Sequence, residues 1–154
     1  MKIRLCARLQ RKDPRLPVYV VIPGSKVQAW ALTGTTVIEG SANGVAFGRR
    51  NIKAWGKDST DWFVEFTAPF CKTAMLAVGD ELTLELQLAD AATPPELERI
   101  LAGNQRLTAA WQALSDSARR DAGEHIRAAK NEATRARRAT AVATGLRGRP
   151  VPGK

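Results

Sequence analysis

Val78-Gly-Asp-Glu-Leu-Thr-Leu-Glu-Leu-Gln-Leu88 is the stretch on which the fold turns. From Glu81 onward Leu82, Leu84, Leu86 and Leu88 alternate with Thr83, Glu85 and Gln87. A period of two puts the leucines on one face of an extended chain and the polar residues on the other, the pattern of a half-buried strand. The Val78-Gly79-Asp80 turn leads the chain into it.

Upstream the same period recurs. Ile3, Leu5, Ala7 and Leu9 alternate with Lys2, Arg4, Cys6 and Arg8, and Val18-Tyr-Val-Val-Ile22 is a short β-branched run stopped by Pro23-Gly24. Ser25 to Leu32 has room for one helical turn. Thr35 to Ser41 reads as a strand, and Asn43-Gly44 supplies the positive φ angles of a tight hairpin turn that returns the chain through Val45 and Phe47. After the polar Gly56–Asp61 stretch, Trp62, Val64 and Phe66 share one strand face. Short strands with tight turns, and almost no helix before residue 90, require a sheet that hides its edges, and closure does that best.

Downstream the pattern changes to helical spacing. Thr93, Pro94 and Glu96 read as a capping box opening a helix with Leu97, Ile100 and Leu101 as its apolar stripe, ended by Gly103. A second helix carries Leu107, Ala110, Trp111 and Leu114. Ser115 caps a third, running from Asp116 to about Thr144 with Ala122, Ile126, Ala129, Ala133 and Ala136 on its weakly apolar face. The sequence therefore predicts an α+β, mainly β architecture: a small closed or nearly closed antiparallel β-barrel over 1–90, a C-terminal helical segment of about three helices over 91–146, and a mobile basic tail over 147–154.

With 154 residues, 44% of them hydrophobic, the chain is long enough to bury a core without disulfides or metals. Twenty-four Lys and Arg against 15 Asp and Glu give +9, a charge that favours anionic partners and also serves solubility. The two cysteines, Cys6 and Cys71, lack the spacing of a zinc site or disulfide framework, so no metal and no cofactor is expected. The charged start lacks the apolar region of a secretory signal, and no segment has the run of apolar residues a membrane span needs; a cytoplasmic location is the expectation.

The chain resembles the bacteriocin-protection, YdeI or OmpD-associated family. In the helical part the likeness rests on Pro95-Glu96-Leu97, Leu101, Trp111, Leu114, Ile126, Ala129-Lys130 and Glu132-Ala-Thr-Arg-Ala-Arg-Arg138. In the strand-rich part it rests on Ile22-Pro23, Val37 with Asn43-Gly44, and Val78-Gly-Asp-Glu-Leu82, while Lys72 stands where an Arg is common. The resemblance implies a bacterial protein with a small barrel before a helical segment, in a family with no agreed catalytic chemistry. It points to an uncharacterised non-enzymatic binding or stress-protection module whose ligand is unknown.

Candidate catalytic groups are sparse. His125 and Glu124 are helix neighbours pointing about 100° apart, so they cannot work as a base and its orienting partner. Cys6, near Lys2, Arg4 and Arg8, and Cys71 have no recognisable base, and Asp58, Asp61 and Asp80 sit at turns where local backbone takes up their oxygens. No catalytic residue is predicted. Anion or nucleic-acid contact is the alternative: Phe47, Arg49, Arg50, Lys53, Trp55 and Lys57 interleave cations with aromatics as single-strand binders do, although strand aromatics usually pack inward. The helical part adds Arg127, Lys130, Arg135, Arg137 and Arg138, spaced to meet phosphates. The competing role for Arg135 and Arg138 is structural, docking the tail on barrel carboxylates such as Glu81 and Glu85.

Overall fold

The computed structural model describes residues 1–148, in two units: the first from Met1 to Asp90, the second beginning at Ala91. The first unit holds strands Ile3–Arg8 (β1), Val18–Ile22 (β2), Thr36–Ala42 (β3), Val45–Ala54 (β4), Trp62–Phe66 (β5) and Glu81–Leu88 (β6). Short helices Gly24–Val27 (α1), continued by a 3-10 turn at Gln28–Trp30, and Ala68–Ala74 (α2) lie between strands. The second unit holds helices Pro95–Ala102 (α3), Gln105–Ala113 (α4), Asp116–Arg127 (α5) and Glu132–Arg147 (α6).

The six strands form one antiparallel sheet in the order β1-β6-β3-β4-β5-β2. Its two edges meet where Gln10, just past β1, exchanges backbone hydrogen bonds of 2.8 and 2.9 Å with Tyr19 of β2. The sheet is thus a nearly closed barrel, and the edges that would otherwise template aggregation are covered. Alternation decides what is inside: Leu5, Leu9, Val20, Ile22, Ile38, Ile52, Val64, Phe66, Leu82, Leu84 and Leu86 are buried together. Leu88, in phase with the other leucines of β6, is 41% exposed at the strand's end.

The β3–β4 hairpin turns at Asn43 and Gly44, both at positive φ, and the Asn43 side-chain oxygen also accepts from the Thr83 amide at 2.8 Å, tying the turn to β6. The pairing shifts between Gly40 and Ser41, and opposite this irregularity Gly48 takes φ +71°. A bulge of this kind bends a strand and re-aims the side chains on either side of it. At Gly40 a Cβ would lie 1.9 Å from the Glu85 carbonyl oxygen, so only glycine lets β3 approach β6 this closely.

Helix α2 has no counterpart in the sequence reading. Thr67 caps it, its hydroxyl accepting from the Phe70 amide at 3.2 Å, and Pro69 sits in the first turn.

The second unit corrects the reading in three respects. The helix expected at Thr93–Pro94 begins at Pro95, with Pro94 as a cap lacking any side-chain hydrogen bond, so no capping box forms. The single helix expected over 116–144 is two, making four helices in the described part of this unit. The reason is Asn131, whose side-chain oxygen accepts from the Thr134 amide at 2.9 Å and so starts a new helix instead of continuing the old one. After this break the buried face runs through Ala139, Ala143 and Leu146, while Ala133 and Ala136 are exposed. With Leu97, Leu101, Leu107, Ala110, Trp111 and Ile126 they make the core of the unit. The basic tail expected over 147–154 lies, past Gly148, outside the described residues.

Candidate functional site

An open cavity of about 650 Å³ lies at one end of the barrel. Its walls come from the Leu9–Val18 connection, from β4 and β5, and from Thr67, Ala68 and Cys71 around α2, with Leu76 and Val78 beyond them. The cavity has a physical origin in the sheet. Although β4 is ten residues long, its pairing with β5 covers only Ile52↔Val64 to Ala54↔Trp62. Before Ile52 the two strands part, and Arg50 and Asn51 on one side face Glu65 and Phe66 on the other across the gap. Leu9, Val18 and Phe66, all core residues, supply apolar wall.

Four cations line this cavity: Arg11, Arg15, Arg50 and Lys53. Two are neutralised. Arg15 forms a two-point contact with Asp13 at 3.1 Å, which holds the Asp13 carboxyl below its ordinary range, and Lys53 meets Glu65 at 3.1 Å. Arg11 and Arg50 form no ion pair among the described residues, the nearby Asp13 and Glu65 carboxylates being taken by Arg15 and Lys53. Arg50 pairs in register with Ile38, which is fully buried, and lies two positions from Ile52, also fully buried, so it occupies the inward face of β4. Its Nε is buried and has no hydrogen-bond partner among the described residues. The thiol of Cys71 shares the same wall: burial pushes its pKa up, and the positive charges of Arg11 and Arg50 pull partly the other way.

A smaller cleft of about 200 Å³ shares Leu16, Pro17 and Glu65 with this cavity. There Trp55 packs on Tyr19 and Phe63, with ring centroids 5.2 and 5.6 Å apart, and the Lys12 ammonium sits 4.6 Å above the indole.

The interleaved basic and aromatic set expected around β4 is therefore dispersed. Phe47 is core, packed on Phe66 and Phe70; Trp55 belongs to the small aromatic cleft; Arg49 donates to the Asp90 carbonyl at 2.8 Å; only Arg50 and Lys53 reach the cavity. Arg11 and Arg15 were missed. The signal for them lay in Arg11-Lys-Asp-Pro-Arg15, a cationic connection between two strands and so placed at the mouth of a barrel.

The cations of the helical unit are mostly engaged. Arg127 pairs with Glu124 at 2.9 Å and donates to the Ala92 carbonyl; Arg135 Nε donates to Glu96 at 2.9 Å; Arg138 donates to the His125 carbonyl at 2.6 Å. Their partners named here lie within the unit, and in the barrel Glu85 has Lys2 at 4.0 Å. Glu96 is nearly enclosed, and the hydrogen bond from Arg135, helped by the residue's own backbone amide, holds its pKa below the usual carboxylate value. Lys130 is exposed; exposed Arg137 donates to the Thr134 hydroxyl within its own helix.

Cys6 is exposed, His125 lies on the surface of α5, and Asp80 accepts from the Ala77 amide at 2.8 Å as a turn residue does. Among the described residues no His, Cys, Asp or Glu cluster could hold a metal, and no helix is long and apolar enough to cross a membrane.

Fold and site together define a small two-unit protein, an antiparallel barrel with an open cationic cavity and a helical unit braced by internal arginine contacts. Residues 90–147 match the model of the family described as Bacteriocin-protection, YdeI or OmpD-Associated, so the helical unit carries that family's signature. The barrel, where the weaker part of the resemblance lay, is outside the match. No curated protein and no solved structure matches the chain.

Proposed function

We propose that the protein is a non-enzymatic binding module, serving a protective or stress role as the family description suggests, and that its barrel unit holds the ligand. The observation that carries this reading is the cavity at the parting of β4 and β5. Its size lies within the roughly 300–1,000 Å³ typical of small-molecule sites, and it combines apolar wall with a few convergent polar groups. A non-catalytic role is supported by Cys71, the one thiol in the cavity lining, whose pKa burial raises where an activated thiol needs it lowered.

A thermal-shift screen of neutral, cationic and anionic small molecules tests the reading. At least one class raises the melting temperature of the native chain, and Ala68→Trp, which puts an indole into the cavity wall, removes the effect. A screen in which no class shifts the melt removes the reading.

A second reading, nucleic-acid association through the helical unit, draws on the outward cations Lys130 and Arg137. Phosphate contacts of this sort are salt-dependent and carry no sequence preference. Oligonucleotide anisotropy over a salt series, with Lys130→Ala/Arg137→Ala as comparison, tests it: binding that falls with salt and with the double substitution supports it, and no binding at low salt ends it.

A further inference from the structure

Resting on that reading, we infer that the barrel cavity takes an amphiphilic organic anion, a carboxylate or phosphate monoester joined to an apolar chain or ring, with Arg50 gripping the anionic head.

The charge balance of the wall is the first argument. Of its four cations, Arg15 and Lys53 are matched by Asp13 and Glu65, while Arg11 and Arg50 are matched by nothing among the described residues. Both unmatched charges line the same cavity as the Cys71 thiol. The second argument is the position of Arg50. A guanidinium on the inward face of a barrel strand, opposite Ile38 and two residues from Ile52, is an uncommon placement unless something compensates it. Its Nε–H is buried without an acceptor, and a planar fork of donors fits a carboxylate or phosphate better than it fits any neutral group. The third argument is the remaining wall. Leu9, Val18 and Phe66 give the cavity an apolar side that a bare inorganic anion would leave wet, so the occupant needs an apolar body as well as a charge.

Helix-end or cationic-surface binding of a polymer would need outward-facing charge, whereas Arg50 faces inward and Arg11 stands on the rim. The site is therefore suited to a small molecule entering end-on, head towards Arg50 and body along Phe66.

Cys71 gives a direct readout. In a Cys6→Ser protein it is the only thiol, and a ligand seated in the cavity shields it from alkylation. The rate of Cys71 alkylation is measured with octanoate, octyl phosphate, octanol and inorganic phosphate, the amphiphiles being kept below their micelle concentrations. Octanoate or octyl phosphate slows the reaction, while octanol and inorganic phosphate at the same concentrations do not. Arg50→Met, which keeps the side-chain length and removes the fork, weakens the protection about tenfold or more, and Arg50→Lys restores part of it. Circular dichroism verifies that each variant is folded. Octanol protecting as well as octanoate, inorganic phosphate protecting as well as octyl phosphate, or unchanged protection in folded Arg50→Met overturns the inference. An octanol-only cavity leaves the binding-module reading standing, and failure of every small-molecule class in the thermal screen removes both.

Discussion

In the helical unit Arg127, Arg135 and Arg138 each donate to an acceptor of their own unit, whereas in the barrel Arg50 turns inward with a buried, unsatisfied Nε. The two groups look alike in sequence, as runs of cations beside aromatic or apolar residues. Their opposite situations teach that cation density marks where charge is, and that only the acceptors within reach decide whether the charge is available. In one unit the arginines brace helices; in the other a charge is held where apolar neighbours cannot satisfy it.

The comparison breaks most severely where the barrel core is opened. Leu84→Ala, at a fully buried position of β6, costs about 3–4 kcal/mol in chemical denaturation. A smaller loss would mean that the barrel can collapse around the void. Gly40→Ala, which drives a Cβ onto the Glu85 carbonyl, costs about 2–3 kcal/mol by the same measurement and widens the β3–β6 contact. In the helical unit Asn131→Ala removes the cap that separates α5 from α6 and costs about 1 kcal/mol.

Acid sharpens the contrast in charge. Glu96 has a folded pKa below its ordinary 4.5, so its contact with Arg135 stabilises the protein fully above that value and is lost as pH falls through the lower folded value. Thermal melts taken from neutral pH downward therefore lose stability in that window, and Glu96→Gln flattens the loss. Asp13→Asn, at the exposed Asp13–Arg15 pair of the barrel, changes the profile less because solvent screens that contact. The smallest effect concerns the thiols. Exposed Cys6 is alkylated before Cys71, whose pKa burial raises, and Arg50→Met slows Cys71 further by removing a positive charge that favours its thiolate. Peptide mass spectrometry of timed samples resolves the two sites.

Sequence alone determined the alternating strands, the hairpin at Asn43-Gly44, the change to helical spacing after residue 90 and the likeness of the helical part to the family whose model it matches. These follow from backbone periodicity and turn chemistry, which act between residues close in the chain. The tertiary structure decided the break at Asn131, because an amide side chain there competes with a helix that the alanine-rich pattern would continue. It also decided the fate of each cation. Arg135 finding Glu96, and Arg50 lying inward at the point where β4 and β5 part, depend on register and on partners remote in sequence, which no local pattern encodes.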